Sequence, residues 1–168
     1  MKEVLEDFRL TIETAAARLL LLPDEQTRAP RSAGKWSPRE IIGHLIDSAS
    51  NNHQRFVRAQ LSEDLIFPGY DQEAWVAVQC YNEESWPLLV RLWQAYNLHL
   101  MHLMSKAPEE TRRRLRAKHN LDQIAWQRVD RSEPATLEYF MRDYIAHLKN
   151  HLEQVFDPAT GQEERQRS

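Results

Sequence analysis

Tyr144-Ile145-Ala146-His147-Leu148-Lys149-Asn150-His151 is an amphipathic stretch carrying two histidines four residues apart. On a helix advancing about 100° per residue, that spacing sets both rings on one side, one turn apart. The same wheel gathers Leu137, Phe140, Met141, Tyr144, Ile145, Leu148 and Leu152 into one apolar arc, with His147 at its edge and His151 inside it. Such an arc has to be covered by other helices. Two imidazoles aimed at the interior also need partners, because a buried polar ring without one costs about 1–3 kcal/mol. Core hydrogen bonds would satisfy them, and so would a shared divalent metal ion; the pair alone leaves both readings open.

Outward from this stretch the whole chain reads as helical, with only 4 glycines and with proline-containing breaks between long periodic segments. The first helix runs from about Glu3 to Leu22, where Leu5, Phe8, Ile12, Ala15, Leu19 and Leu22 make a narrow seam suited to a bundle. Trp36-Ser37-Pro38-Arg39-Glu40-Ile41 opens the second. Ser37 can cap it, Pro38 fits its first position, Glu40 closes a capping box, and Trp36 can staple onto Ile41. The third runs from about Ser85 to Lys106 with Leu89, Leu92, Trp93, Tyr96, Leu100 and Leu103 inward. Pro134 and Thr136 introduce the last helix, which Asp157-Pro158 ends. A long connector, about Leu61 to Glu84, is of a length that crosses a bundle and that often carries function.

The second helix places His44, Asp47, Ser48, Asn51 and Arg55 on one arc, bordered by Ile41, Leu45, Ala49 and Phe56. This is either a solvated face or the polar lining of a cleft. In the second case His44 is a third metal ligand and Asp47, one turn on, orients an imidazole or a water. His53 points to the opposite side, His99 borders the third helix's apolar face as a reserve ligand, and His102 lies further round.

At 168 residues the chain is long enough to bury about two-thirds of the surface its unfolded form would expose. A single domain over 1–158 with a polar tail at 159–168 is the expected organisation. Hydrophobic residues at 42% and charged residues at 28% are ordinary for a soluble globular protein, and a net charge of -3 gives no reason to expect nucleic acid as a partner. The cluster Arg112, Arg113, Arg114, Arg116 and Lys118 lacks interleaved aromatics and reads as a solvated segment. No apolar run approaches the roughly 20 residues that span a bilayer, and acids stand where a secretory signal would carry basic residues. The single cysteine, Cys80, suits a reducing cytoplasm, and its mostly apolar surroundings suggest a packed thiol.

Taken together, several features resemble the DinB-like superfamily, in particular its YfiT-like branch with the thiol S-transferases. They are Trp36, the string His44-Leu45-Ile46-Asp47-Ser48 with Asn51 and Arg55-Phe56, Tyr70-Asp71 with Ala74-Trp75, and the pair His147 and His151. The resemblance spans about Trp36 to Phe156. It implies an all-α four-helix bundle of up-down-down-up topology, with a three-histidine divalent metal site that maps onto His44, His147 and His151. Three neutral imidazoles with an open position suit zinc or nickel, with iron or manganese as alternatives. Relatives with a denser histidine run on the last helix differ here, where Tyr144 and Leu148 stand.

The function that follows is a metalloenzyme whose ion activates a water or a low-molecular-weight thiol, hence a hydrolase or a thiol-dependent S-transferase acting on a small molecule. Asp47 would orient or deprotonate the nucleophile, and Asn51 and Arg55 would grip an anionic part of the substrate. The other reading is a non-catalytic metal-binding stress-response protein. A homodimer formed through an exposed apolar helix face is the expected assembly.

Overall fold

Ser37 starts the helix that organises the molecule. Its hydroxyl accepts from Glu40 N at 3.2 Å while its own N–H donates to Glu40 Oε2 at 2.7 Å, and Pro38 occupies the first turn. Both halves of the expected capping box are therefore made. The computed structural model describes residues 1–30 and 32–156, so the expected tail and the Asp157-Pro158 stop lie outside the described residues. The elements are α1 (Lys2–Leu20), α2 (Asp24–Arg28), α3 (Pro38–Leu61), α4 (Gln72–Gln79), α5 (Trp86–Lys106), α6 (Glu109–Arg113), α7 (Leu121–Ile124) and α8 (Leu137–Phe156), with a 3-10 turn at Tyr81–Glu83. Among the described residues there are no strands, only two isolated bridges.

Side-chain contacts fix the directions of the four long helices. Trp86 Nε1 at the start of α5 donates to Leu19 O at the end of α1, at 2.9 Å, so α1 and α5 run antiparallel. Arg39, at the start of α3, donates to Glu84 O just before α5, so α3 and α5 run parallel. Lys149 pairs with Asp7 and Phe156 lies under the Arg18 guanidinium, which makes α1 and α8 parallel. The bundle is up-down-down-up. A parallel α3–α5 pair requires the intervening chain to return along the whole bundle. The long connector does so and folds α4 and the 3-10 turn on the way.

The apolar stripes meet in one core. Every apolar residue of the arc read on α8 is buried, as are Phe8, Ile12, Ala15 and Leu19 of α1. On α5 the inward stripe is Trp86, Leu89, Val90, Trp93, Asn97, Leu100 and Met104. Leu92, expected inside, is 47% exposed because it stands about 100° round the helix from Trp93. Fully burying one aliphatic or aromatic side chain stabilises a fold by about 1.5–3 kcal/mol, so these stripes are the main cohesive term.

Two expectations need correction. Cys80 is exposed, since it ends α4 in the left-handed region at φ 50°, which turns the chain and its thiol outward. The basic cluster is not simply solvated. Arg116 is buried and donates to Ala59 O at 2.9 Å, Arg112 pairs with Glu138, Arg113 with Glu109 and Arg114 with Glu63. These pairs and the bridges tie the second and third connectors together at one end of the bundle. Leu65 N donates to Lys118 O, Arg116 and Ala135 exchange both backbone bonds, and the Asn120 side chain bonds both backbone groups of Phe67. His119, buried here, accepts from Leu121 N on Nδ1, so Nε2 carries the proton given to Glu133 O at 2.7 Å.

Candidate metal centre

Three imidazoles, one from α3 and two from α8, converge between the antiparallel helices. His147 Nε2 stands 3.4 Å from His44 Nε2 and 3.0 Å from His151 Nε2. One ligand atom from each ring lies within 4.8 Å of the others, the one such group of three or more metal-ligating side chains among the described residues. Nitrogens held about 2.0–2.1 Å from one ion stand roughly 2.9 Å apart at right angles and about 3.4 Å apart in a tetrahedron. The two short separations fall in that window.

The protonation pattern suits a cation-binding donor set. His151 Nδ1 meets Gln154 Oε1 at 3.0 Å, and because that oxygen accepts, Nδ1 carries a proton and Nε2 is the ring nitrogen turned toward His147, 3.0 Å away. Burial, and then the neighbouring His151, pushes the His44 pKa down to about 3. His147 is held well below the usual histidine range, by burial first and then by His151 and His44. Neutral imidazole is the form that ligates. His44 Nδ1 is buried without a hydrogen-bond partner, and the Trp36 indole covers that ring at a centroid distance of 5.0 Å. Trp36 therefore shields His44 as well as opening α3.

Next to the histidines lies a cavity of about 390 Å³. Its walls include Ser48, Asn52 and Arg55 of α3, Tyr70 of the second connector, Trp126 and Arg128 of the third, and Asp143, Tyr144, His147 and His151 of α8. Asp143 spends both oxygens on the loop above it, accepting from Trp126 N at 2.9 Å and Gln127 N at 2.7 Å. This holds Trp126 over the site, its ring 6.3 Å from His147.

Asp47 is buried and its acidity is weakened, chiefly by that burial, against the opposing pull of hydrogen bonds from Gln79 and Tyr81. Oδ1 accepts from Tyr81 OH and Gln79 Nε2, each at 2.8 Å, and Oδ2 is buried without a partner. The Tyr81 ring lies where a side chain on Gly43 would otherwise be, since a Cβ there would stand 2.1 Å from Tyr81 Cδ2. Asn51 Nδ2 donates to Asp47 O at 2.9 Å, which turns that amide along its own helix, and its neighbour Asn52 faces the cavity. Arg55 is 6% exposed and lines the cavity, donating to Pro68 O at 2.8 Å and to Asn52 Oδ1 at 3.5 Å. His99 stands apart, with its ring 5.3 Å from that of His53 on the α3–α5 face.

Tyr81, Gln79, Asn52, Trp126 and Asp143 went unread from the sequence as site residues. Asp143 carries a usable signal, an acid one turn before His147 on the same side of α8. Asn52 lies on α3 at the border of its polar arc, and Tyr81, Gln79 and Trp126 sit on connectors whose path has no periodic signature.

The fold and this cluster define a class, four-helix bundles with an interhelical three-histidine group able to take a metal ion. The chain belongs to the DinB superfamily, whose family model matches residues 7–155. A protein of Oceanobacillus iheyensis named "Putative metal-dependent hydrolase OB0413" is 26% identical over 133 residues, covering 76% of this chain and 71% of the relative. "Putative metal-dependent hydrolase YfiT" of Bacillus subtilis is 30% identical over 73 residues, 44% of this chain and 39% of its own length. The solved structure of Bacillus subtilis YfiT, described as a probable metal-dependent hydrolase with an unusual four-helix bundle topology, superposes with a TM-score of 0.75. It is 19% identical, covering 92% of this chain and 83% of that one. At that identity the superposition establishes the shared fold.

Proposed function

We propose that this chain is a metal-dependent enzyme in which His44, His147 and His151 hold one divalent ion, zinc or nickel before iron or manganese, beside a cavity for a small organic substrate. The observation that carries the reading is the convergence of three imidazoles, two of which line a polar cavity. An ion so held supplies the acidity that makes water or a thiol nucleophilic near neutral pH. Water leads to hydrolysis, the reaction in the relatives' names, and a low-molecular-weight thiol leads to S-transfer.

The protein's own groups do the rest. Asp47, with one oxygen anchored by Tyr81 and Gln79 and the other buried without a partner, orients the nucleophile or takes its proton. Asn51 steadies the turn that carries Asp47. Arg55, assisted by Asn52, holds an anionic part of the substrate. Trp126 and Tyr70 close the cavity. Among the described residues no helix is long and apolar enough to cross a membrane, and a cytoplasmic home with pairing of two copies through the exposed Leu88 and Leu92 of α5 completes the proposal.

Elemental analysis of protein purified without a polyhistidine tag tests the metal site. About one equivalent of a divalent metal is expected, with affinity at least tenfold weaker in each of His44→Ala, His147→Ala and His151→Ala. Retention of the metal by all three variants would refute the site. An ester panel and a thiol-plus-electrophile panel then separate hydrolase from transferase. A bound metal with no turnover in either panel, and no exchangeable water in the cobalt-substituted protein, would favour the non-catalytic reading.

A further inference from the structure

Arg55 is a buried cation in an unusual position. It lies on a cavity wall at 6% exposure, yet among the described residues no carboxylate is within ion-pairing range of it. Two of its five N–H groups are spent, on Pro68 O and Asn52 Oδ1, and the others bond to no described residue. The one acid in the cavity lining, Asp143, is already satisfied by two backbone N–H groups. Burying a charge without a counterion is costly, and proteins keep such a group where a ligand brings the missing charge.

The fold also sets how far this cation stands from the histidines. Its Nη1 contact with Asn52, one turn back, shows that the guanidinium leans toward the N-terminus of α3, the direction long helical side chains take. Asn52 lies eight positions after His44, which is about 12 Å of rise at 1.5 Å per residue. The cavity follows the same line on α8, from His151 and His147 past Tyr144 to Phe140, whose ring packs on Phe56 next to Arg55. One elongated groove therefore has a metal-ligating cluster at one end and an unpaired guanidinium at the other.

Building on the metal-site reading, we infer that the substrate is a bifunctional molecule with its reacting group at the histidines and a carboxylate on Arg55. A single buried guanidinium balances one negative charge, and its planar edge matches a carboxylate. Of the roughly 12 Å, a metal–sulfur contact takes about 2.3 Å and a guanidinium–carboxylate contact about 2.8 Å. The remaining distance of about 7 Å corresponds to roughly six zigzag single bonds, each about 1.5 Å long and advancing about 1.25 Å. Trp126 and Tyr144 flank that span and offer ring faces to the linker, beside the polar Ser48 and Asn52.

The probes are ω-mercapto carboxylates, mercaptoacetate through 8-mercaptooctanoate, and their methyl esters, titrated into the cobalt-loaded protein by absorption and into the zinc-loaded protein by calorimetry. The inference expects affinity to peak near 6-mercaptohexanoate, which binds at least about tenfold more tightly than its ester, as a charge-assisted hydrogen bond implies. Arg55→Gln should erase the acid-over-ester preference while 2-mercaptoethanol still gives the cobalt–thiolate band. Thiolate bands of equal affinity for acid and ester in the unmutated protein would overturn the inference and leave the metal site standing. Absence of a thiolate band with every thiol would overturn the metal-site reading itself. The acid-to-ester comparison needs no variant, so a misfolded Arg55→Gln does not blunt the test.

Discussion

Replacing Gly43 by alanine should destabilise this protein, against the usual sign for a glycine inside a helix. An ordinary exposed Gly→Ala substitution there gains about 0.8–1 kcal/mol from backbone entropy. At Gly43 the new Cβ would lie 2.1, 2.3 and 2.4 Å from Tyr81 Cδ2, Cγ and Cε2, well inside the roughly 3.5–4.0 Å of carbon–carbon contact. The ring would have to shift by more than about 1 Å, and Tyr81 is 6% exposed, so it has little room. Overpacking of this kind costs about 1–3 kcal/mol. The shift also breaks the 2.8 Å bond from Tyr81 OH to the buried Asp47 carboxylate, a bond worth about 1.5–3 kcal/mol. Setting the helix gain against both losses leaves a net destabilisation of about 2–4 kcal/mol. Urea denaturation of the metal-free protein should show a lower midpoint at unchanged slope. In a Tyr81→Ala background the same glycine change should turn stabilising by about 1 kcal/mol, since the obstacle has gone. A neutral or stabilising Gly43→Ala in the otherwise native chain would refute the packing argument.

Two further outcomes follow from the site. The metal-free protein should lose stability as the pH falls through the acid range: the unfolded chain takes up a proton on His44 near pH 6.5, the folded one not until about 3, so native stability is intact above 6.5 and drains away between those values. By about pH 4.5 the loss from His44 alone is about 2–3 kcal/mol, and a flat denaturation midpoint between pH 7 and 4.5 would contradict it. Asp143→Asn leaves one acceptor oxygen for the two backbone donors Trp126 N and Gln127 N and sets an amide donor against one of them, which should cost about 1–3 kcal/mol. Faster hydrogen exchange at those two amides, with α1 unchanged, is the readout, and unchanged protection would show that the loop is held by something else.

The long helices were legible because periodicity along the chain is enough to report them. The α8 arc, the α1 seam and the Ser37-Pro38-Arg39-Glu40 start all appear in the structure where the spacing places them. The α5 face was misjudged by one position at Leu92, since two overlapping apolar stripes fit the same stretch and only the neighbouring helices choose between them. Cys80 was misplaced for a related reason: apolar neighbours suggest burial, but the left-handed turn that ends α4 decides where the thiol points.

The candidate site divides along the same line. His147 and His151 share a face by helical geometry alone, and His44 shares one with Asp47 and Arg55, so local sequence determined which side chains could act together. That the two faces meet, with His44 Nε2 3.4 Å from His147 Nε2, depends on α3 and α8 packing antiparallel in register. Tyr81 reaching Asp47 through the gap left at Gly43, and Asp143 drawing Trp126 over His147, are contacts between residues distant in sequence. A helix repeats every 3.6 residues and so advertises itself along the chain, whereas the path of a connector is set by the surfaces it finds once the helices have packed.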